Sequence, residues 1–197
     1  MNRGLPGLSG LVLAAGASRR LGQCKQIVMV DGVPLVRRTV LLIADVCGAP
    51  VTVVTGANAD RVTACLEGIE VVLVHNPAWH EGLSGSLALG LTALGPGCGA
   101  ALVAPCDLPG LSAMDLERLA AAWRRTPERP AAACYDGVVG VPAILPEVVF
   151  SELLAVTGDR GARDLLRRND VPVSVVTFPS AAADLDDGGD LATLAGS

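Results

Sequence analysis

The sequence is poor in aromatic residues, in charged residues and in histidine. Aromatic side chains make up 3% of the 197 residues, charged side chains make up 18%, and there are 2 histidines. Hydrophobic residues make up 51%, which argues against a disordered chain. The length suits one ordinary domain with a sizeable core, so we expect a single globular domain over residues 1–197.

The charge balance and the shortness of the apolar runs argue against two kinds of partner. The net charge is −5 and the isoelectric point is near 4.9, whereas binding to duplexes is driven largely by cations that neutralise phosphates. No run of about 18 or more apolar residues is present, so we predict no transmembrane helix. We therefore expect neither nucleic acid nor a membrane as a partner, and any anion must be bound locally.

The six cysteines form no C-x-x-C pair, and several lie inside apolar runs such as LVAPCD. We favour scattered buried thiols over a disulfide framework or a zinc site. His75 and His80 have no metal-ligand spacing with a carboxylate or cysteine cluster, which also argues against zinc. Because this use of cysteine is typical of a reducing compartment, we predict a cytoplasmic protein.

Short runs rich in β-branched residues alternate with helix-length segments along the chain. The runs predict buried strands at 10–15, 50–55, 70–74, 100–105 and 173–178. The helix-length segments start at Pro34, at Asn58 as an N-cap, and at Ser112, which forms a capping box with Asp115. Such alternation implies parallel strands with right-handed crossovers. We predict an α/β fold with a mostly parallel sheet and helices on both faces.

Three segments depart from this alternation. The pair Asp31-Gly32 between valines predicts a turn. Residues 135–149, YDGVVGVPAILPEVV, are interpreted as an irregular strand that closes the other side of a cleft. Residues 124–130, RRTPERP, are interpreted as a loop between a helix and a strand.

The first predicted strand ends in a glycine-bearing turn followed by cations, LVLAAGASRRLGQCK over residues 11–25. Small residues around Gly16 allow backbone N–H groups to face an anion, and Arg20 and Lys25 supply positive charge, which suits a triphosphate. The Walker pattern is absent because Gly22 is followed by glutamine, and G-x-G-x-x-G is absent too. The alternative is a turn that merely finishes a buried strand beside a solvated basic face.

A carboxylate also stands at the end of a predicted strand, in LVAPCDLPGL. Asp107 in that place can hold Mg²⁺ against phosphate oxygens. The alternative is a cap or turn aspartate, but Ser112 already caps the next helix. We therefore favour the metal role for Asp107.

Two later segments are weaker candidates. In HNPAWHEGLSGSLALG, Asn76 and Ser84 can bond a base, a ribose or a phosphate near the start of the next helix, and Trp79 is interpreted as a packing residue. In GDRGAR, the charged residues Asp159, Arg160 and Arg163 taken alone predict a surface helix with ion pairs.

The order of these segments resembles a known family. LVLAAGASRRLGQCKQ resembles the signature L-A-A-G-x-S-x-R-x-G-x-x-K of nucleotidyltransferases related to the molybdenum cofactor enzymes. NPAWHEGLSGSLALGL, CDLPGL, GVPAIL, GDRGARDLL and DLDDGGDLATL resemble the later blocks of these enzymes, in the same order. The blocks NPAWHEGLSGSLALGL and GDRGARDLL are more similar to the branch containing molybdenum cofactor cytidylyltransferase (MobA-like).

This resemblance implies a three-layer Rossmann-like nucleotidyltransferase fold. It also implies a reaction in which a phosphate of molybdopterin attacks the α-phosphate of CTP and releases pyrophosphate. The nucleotide-binding residues that it implies are Leu13, Ala14, Ala15, Gly16, Lys25, Thr55, Asn76 and Ser84. The implied catalytic residues are Arg20, Lys25 and Asp107, and the implied Mg²⁺ ligands are Asp107 and Asp186. A molybdoenzyme or cofactor chaperone that receives the product is the implied protein partner.

Two departures from the family pattern bear on the substrates. Gly140-Val141-Pro142 stands where many relatives read G-H-P or G-N-P, which removes a polar side chain near the acceptor side. The glycine-bearing turn after the first predicted strand, called the first loop below, reads L-A-A-G over residues 13–16, as in the cytidine branch. The guanosine branch usually reads L-A-G-G. Three alternatives stay open: another phosphorylated acceptor with CTP or GTP, a non-catalytic carrier of nucleotide or molybdopterin, and an oxidoreductase using NAD or a pterin. The last lacks the dinucleotide fingerprint.

Overall fold

The computed structural model describes residues 5, 7–18, 22–48, 50–135 and 137–178. Within these residues the chain forms a large sheet and a small hairpin. The strands are β1 (Leu8–Ala14), β2 (Met29–Val30), β3 (Val33–Pro34), β4 (Val51–Thr55), β5 (Val71–His75), β6 (Ala100–Pro105), β7 (Ala131–Tyr135), β8 (Val138–Pro146) and β9 (Ser174–Thr177). The helices are α1 (Leu35–Cys47), α2 (Ala59–Cys65), α3 (Leu83–Ala93), α4 (Ala113–Arg125), α5 (Phe150–Leu154) and α6 (Ala162–Leu166).

The large sheet has seven strands in the order β5-β4-β1-β6-β8-β7-β9. β1 pairs in parallel with β4 and with β6, placing Leu11 beside Thr52 on one side and Val103 on the other. β8 runs antiparallel to both of its neighbours, β6 and β7. The predicted mostly parallel sheet is confirmed.

Apolar side chains on the two faces of the sheet form two separate core layers. On one face, Val12 of β1 packs in the cluster that holds the buried residues of α1, α2 and α4. On the other face, Leu11 packs with the buried residues of α3, α5 and α6. Alternate residues of one strand point to opposite faces, so a single strand serves both layers. The three-layer arrangement with helices on both faces is confirmed.

Most of the predicted local signals are found where the sequence placed them. Asp31 and Gly32 connect β2 and β3 in the small antiparallel hairpin. Ser112 Oγ accepts from the Asp115 amide, and the Asp115 carboxylate accepts from the Ser112 amide, so α4 carries the predicted capping box. Asn58 precedes α2 as predicted, but its side chain makes no cap hydrogen bond. The predicted N-cap position is confirmed, and only the side-chain hydrogen bond is missing, at a residue with φ of −121° and ψ of 36°.

The segment 135–149 is more regular than predicted. Most of it is the nine-residue strand β8, which joins the main sheet. Its antiparallel direction places its first residues, rather than its last ones, at the edge where the parallel strands end.

All six cysteines are free thiols. None of the helices among residues 5–178 that the structure describes is both long and apolar enough to cross a membrane.

Candidate active site

The carboxyl ends of β1 and β6 open into a cleft of about 900 Å³. This is the edge at which open parallel sheets bind their ligands. The lining side chains lie within 13–18, 79–87, 103–107 and 159–167, together with Lys25, Gln26 and Val141. The cleft therefore joins the first loop, the start of α3, the end of β6 and the region of α6.

A buried glutamine holds the first loop in shape. The Gln26 side chain is 1% exposed, and its Nε2 donates to the carbonyl of Gly16 at 2.6 Å and to that of Ala14 at 3.4 Å. Its Oε1 accepts from Ser18 Oγ at 3.3 Å and from Cys24 Sγ at 3.0 Å. Since buried polar groups are costly when unpaired, these four bonds fix the turn relative to the segment that carries Lys25.

Lys25 and Asp107 form an ion pair inside the cleft. Lys25 lies at the start of a short 3₁₀ turn, and its amide donates to Ser18 Oγ at 3.0 Å. Asp107 follows β6, and its Oδ2 accepts a hydrogen bond from Lys25 Nζ. The side chains are 20% and 19% exposed, so solvent reaches both of them from the cleft. A cation and a carboxylate placed together at such an edge can bind phosphate and a metal ion, respectively.

The residue before Asp107 is a thiol with no acid–base role at neutral pH. Cys106 lines the cleft but is only 3% exposed. Burial raises the pKa of the Cys106 thiol far above its ordinary value, and the Asp107 carboxylate raises it further. The thiol is therefore protonated, and a thiolate nucleophile is not expected here.

The start of α3 is joined to the loop before α6 by a close backbone contact. Gly82 has φ of 124°, a conformation that side chains rarely adopt. A Cβ at this position would overlap the backbone of Gly158. The amide of Ser84 donates to the carbonyl of Gly158 at 3.1 Å. This contact brings the GDRGAR segment to the cleft.

Charged side chains from the region of α6 line the cleft, in contrast to the prediction of an ordinary surface helix. These are Asp159, Arg163, Asp164 and Arg167. Arg167 Nε donates to the carbonyl of Val139 at 3.0 Å. No residue spacing predicts that this segment lies beside the first loop, because its position depends on the Gly82–Gly158 contact across the fold.

The predicted site residues are divided among three locations. Leu13, Ala15, Gly16, Lys25 and Asp107 all line the cleft, and Ala14 contributes the carbonyl bonded to Gln26. Thr55 lines a separate hollow of about 510 Å³ with His75 and residues of α2. Asn76 and Ser84 are buried and line neither of these two spaces.

The side chain of Asn76 is already engaged inside the protein. Its Nδ2 donates to Ser86 Oγ at 3.0 Å, and its Oδ1 accepts from the amide of Ala78 at 3.0 Å. It therefore shapes the turn before α3. The predicted catalytic residue Arg20 and the predicted metal ligand Asp186 lie outside the described residues. Among the residues that are described, no group of three or more His, Cys, Asp or Glu side chains could hold a metal ion.

Comparison with known proteins decides the family. Residues 10–173 match the MobA-like NTP transferase domain. The chain belongs to this family. It is therefore an enzyme of the nucleotidyltransferase class, as the first loop and Asp107 indicated.

Two relatives of the chain are named for different activities, one an oxidoreductase and one a guanylyltransferase. The chain is 34% identical over 177 residues to nicotine blue oxidoreductase of Paenarthrobacter nicotinovorans. The matched region covers 83% of this chain and 83% of that one. It is 31% identical over 121 residues to a protein of Synechococcus elongatus named "Probable molybdenum cofactor guanylyltransferase", over 61% of this chain and 58% of that one.

A solved structure covers nearly the whole chain. The Mycobacterium sp. strain JC1 homologue of a Mycobacterium tuberculosis protein superposes with a TM-score of 0.79 at 28% identity. The match covers 97% of this chain and 98% of that one. The Rossmann-like nucleotidyltransferase fold is thereby confirmed.

Proposed function

We propose that this enzyme, acting as a single catalytic domain, transfers CMP from CTP to molybdopterin with Mg²⁺. An oxygen of the acceptor phosphate forms a bond to the α-phosphorus of CTP. The bond from that phosphorus to the bridging oxygen breaks, and its electron pair leaves with pyrophosphate. The observation that carries the proposal is the placement of Lys25 and Asp107 together in the cleft beside the glycine-bearing first loop.

The residues of the chain supply charge and position in this reaction. Backbone N–H groups of the turn around Gly16 and the Lys25 ammonium neutralise the triphosphate. The acceptor phosphate is already ionised at neutral pH, so no general base is needed. Transfer between two anions depends on charge neutralisation and in-line placement more than on a protein nucleophile. Arg20 is proposed to add a second cation.

The donor set at Asp107 fits a magnesium ion. Mg²⁺ is bound in many phosphate-transfer sites by one or two carboxylates together with substrate phosphates and water. Asp107 supplies one carboxylate, and we assign Asp186 as the second. Nucleotidyltransferases of this family commonly depend on a divalent metal. When bound, the ion would withdraw charge from the phosphate oxygens.

The first loop supports CTP as the donor. Ala15 occupies the position that is glycine in the L-A-G-G loop of the guanosine branch, and its carbonyl accepts from the amide of Ala57 at 3.1 Å. Ala15 lines the cleft, and alanine at this position matches the cytidine branch. We keep Thr55, Asn76 and Ser84 as proposed neighbours of the base and ribose. The relatives named guanylyltransferases make GTP the alternative donor.

Transfer of label tests the proposal. CTP and GTP, each labelled at the α-phosphate, are incubated separately with enzyme, Mg²⁺ and molybdopterin, and then with a sugar phosphate or an alditol phosphate in place of the pterin. The proposal predicts that label from CTP appears on molybdopterin. Label from GTP alone would show that GTP is the donor, and label on another phosphate would show that the acceptor is not molybdopterin. Tight nucleotide binding without any transfer would indicate a carrier.

After the transfer reaction, we propose that a molybdoenzyme or cofactor chaperone receives the product.

The relative with the higher identity favours a second candidate, a redox reaction in the same cleft. That relative is named an oxidoreductase and matches 83% of the chain. Apolar side chains including Trp79, Leu83 and Val141 line the cleft and suit a flat organic substrate. Oxidation of NADH or NADPH by an aromatic acceptor, followed by absorbance, separates this candidate from nucleotide transfer. A steady enzyme-dependent rate would support it.

A further inference from the structure

The cleft has a second group of cations on the side of β8. Lys25 lies on the side of β1 and β6 and is paired with Asp107. Arg163 and Arg167 line the same cleft from the region of α6. A reaction between two anionic molecules needs positive charge for each of them. The proposed function gives a role to Lys25 and leaves these two arginines without one.

The two arginines differ in how far their guanidinium groups are already engaged. Arg167 Nε donates to the backbone carbonyl of Val139. Arg163 is exposed and forms no hydrogen bond or ion pair with any residue that the structure describes, although Asp159 and Asp164 also line the cleft. None of its five N–H donors is therefore used by the described part of the chain. Arg163 is the stronger candidate for binding an anion.

The Arg163 side chain lies against the backbone of β8. A Cβ at Gly140 would stand 3.6 Å from Arg163 Nε and 3.7 Å from the Tyr135 hydroxyl. The next residue, Val141, lines the cleft, and its carbonyl accepts from the Tyr135 hydroxyl at 3.0 Å. Strand β8, which carries both residues, is the direct neighbour of β6, the strand that delivers Asp107. Arg163 thus lies one strand away from the reaction centre.

We infer that Arg163 binds the phosphate of the acceptor. This inference rests on the proposed function and extends it to the second substrate. A guanidinium can bind a phosphate through two parallel hydrogen bonds, which fixes orientation as well as charge. Val141 offers an apolar surface to the body of that acceptor. The first loop and Lys25 remain the binding site of the triphosphate.

Steady-state kinetics of three variants test the inference. Arg163→Gln removes the charge, Arg163→Lys keeps it without the planar fork, and Arg160→Gln is the matched control. Arg160 is exposed, belongs to the same segment and is not among the residues that line the cleft. We expect Arg163→Gln to raise the KM for molybdopterin at least about tenfold and to leave the KM for CTP within about twofold. Arg163→Lys should recover part of the loss, and Arg160→Gln should match the wild type.

Equal increases in both KM values, or an unchanged KM for molybdopterin, would overturn the inference. Calorimetric binding of molybdopterin to the wild type and to Arg163→Gln separates it from the proposed function. If the wild type binds molybdopterin without transferring CMP, the proposed reaction is wrong, and weaker binding by Arg163→Gln still supports the inference. Unchanged binding by that variant, or no binding by the wild type, contradicts it.

Discussion

The Lys25 ammonium donates a hydrogen bond to the Asp107 carboxylate across 82 positions of the sequence. The two residues are brought together because β1 and β6 are adjacent parallel strands, so the segments that follow them meet at one edge of the sheet. Each side chain neutralises the other in a cleft that also carries the first loop. The pair therefore holds a cation and a carboxylate together at the place where we propose that phosphates bind.

Removing either charge should stop catalysis without unfolding the protein. We expect Lys25→Ala and Asp107→Ala each to lower kcat at least about 100-fold, because each removes charge stabilisation at the reacting phosphates. Pyrophosphate release measures the rate, and circular dichroism during heating measures the fold. Asp170→Ala is the matched control, since Asp170 is an exposed carboxylate paired with Arg168. Near-normal rates in both site variants would contradict these roles.

Loss of the Gln26 side chain should loosen the first loop. Gln26→Ala removes the donor to the part-buried carbonyl of Gly16 together with the other bonds of the buried Gln26 side chain, which we expect to cost about 1–3 kcal/mol of unfolding free energy. Urea titration measures this loss. Gln23→Ala is the control because Gln23 is exposed in the same segment, and it should be neutral. Equal stabilities of the two variants would show that the Gln26 bonds do not hold the loop.

A methyl group on Gly82 should separate the start of α3 from the loop before α6. In Gly82→Ala the new methyl group would overlap the backbone of Gly158, and alanine would have to adopt a φ of 124°. We therefore expect a loss of about 1–3 kcal/mol of unfolding free energy and reduced activity. Gly85→Ala is the matched control in the same helix, where the nearest atom to a new Cβ, Asn76 Nδ2, lies 3.7 Å away. This control should be neutral or more stable. Thermal unfolding of the two variants compares them, and a stable, active Gly82→Ala would contradict the packing argument.

Periodicity and end signals in the sequence predicted the layers of the fold and much of the site. The five predicted strands, the capping box at Ser112 and the position of Asp107 after β6 are all local features, and local sequence is sufficient to specify them. The resemblance to nucleotidyltransferases added the fold family, which the structure and the comparisons confirm.

The parts that could not be predicted depend on contacts between distant segments. Nothing in the spacing of Gln26 shows that its amide reaches back to Gly16, and nothing local shows that Gly82 contacts Gly158. That second contact determines that Arg163 lies in the cleft and not on an ordinary surface helix. Asn76 illustrates the same limit, because nothing in its local sequence shows that its side chain bonds to Ser86 and Ala78.

Buried thiols should make the protein less stable at alkaline pH. Burial and, to a smaller extent, the neighbouring Cys98 raise the pKa of Cys47 from 9.0 to about 12. Between these values the folded thiol keeps a proton that the unfolded one has lost, so stability is full below pH 9.0 and falls toward pH 12. Urea titrations at increasing pH should show this fall, by up to about 1.4 kcal/mol per pH unit from one thiol. Cys47→Ala should fall less steeply, and parallel curves would contradict the assignment.

Pyrophosphate release tests the central claim most directly. The wild-type enzyme is mixed with Mg²⁺ and each of the four ribonucleoside triphosphates, with and without molybdopterin, and free pyrophosphate is measured over time. We expect release from CTP only when molybdopterin is present, and none from CTP with Asp107→Ala. Transfer of CMP to molybdopterin would be ruled out if no pyrophosphate were released from any of the four triphosphates in the presence of the pterin. Equal release by the wild type and Asp107→Ala would rule out the role of Asp107.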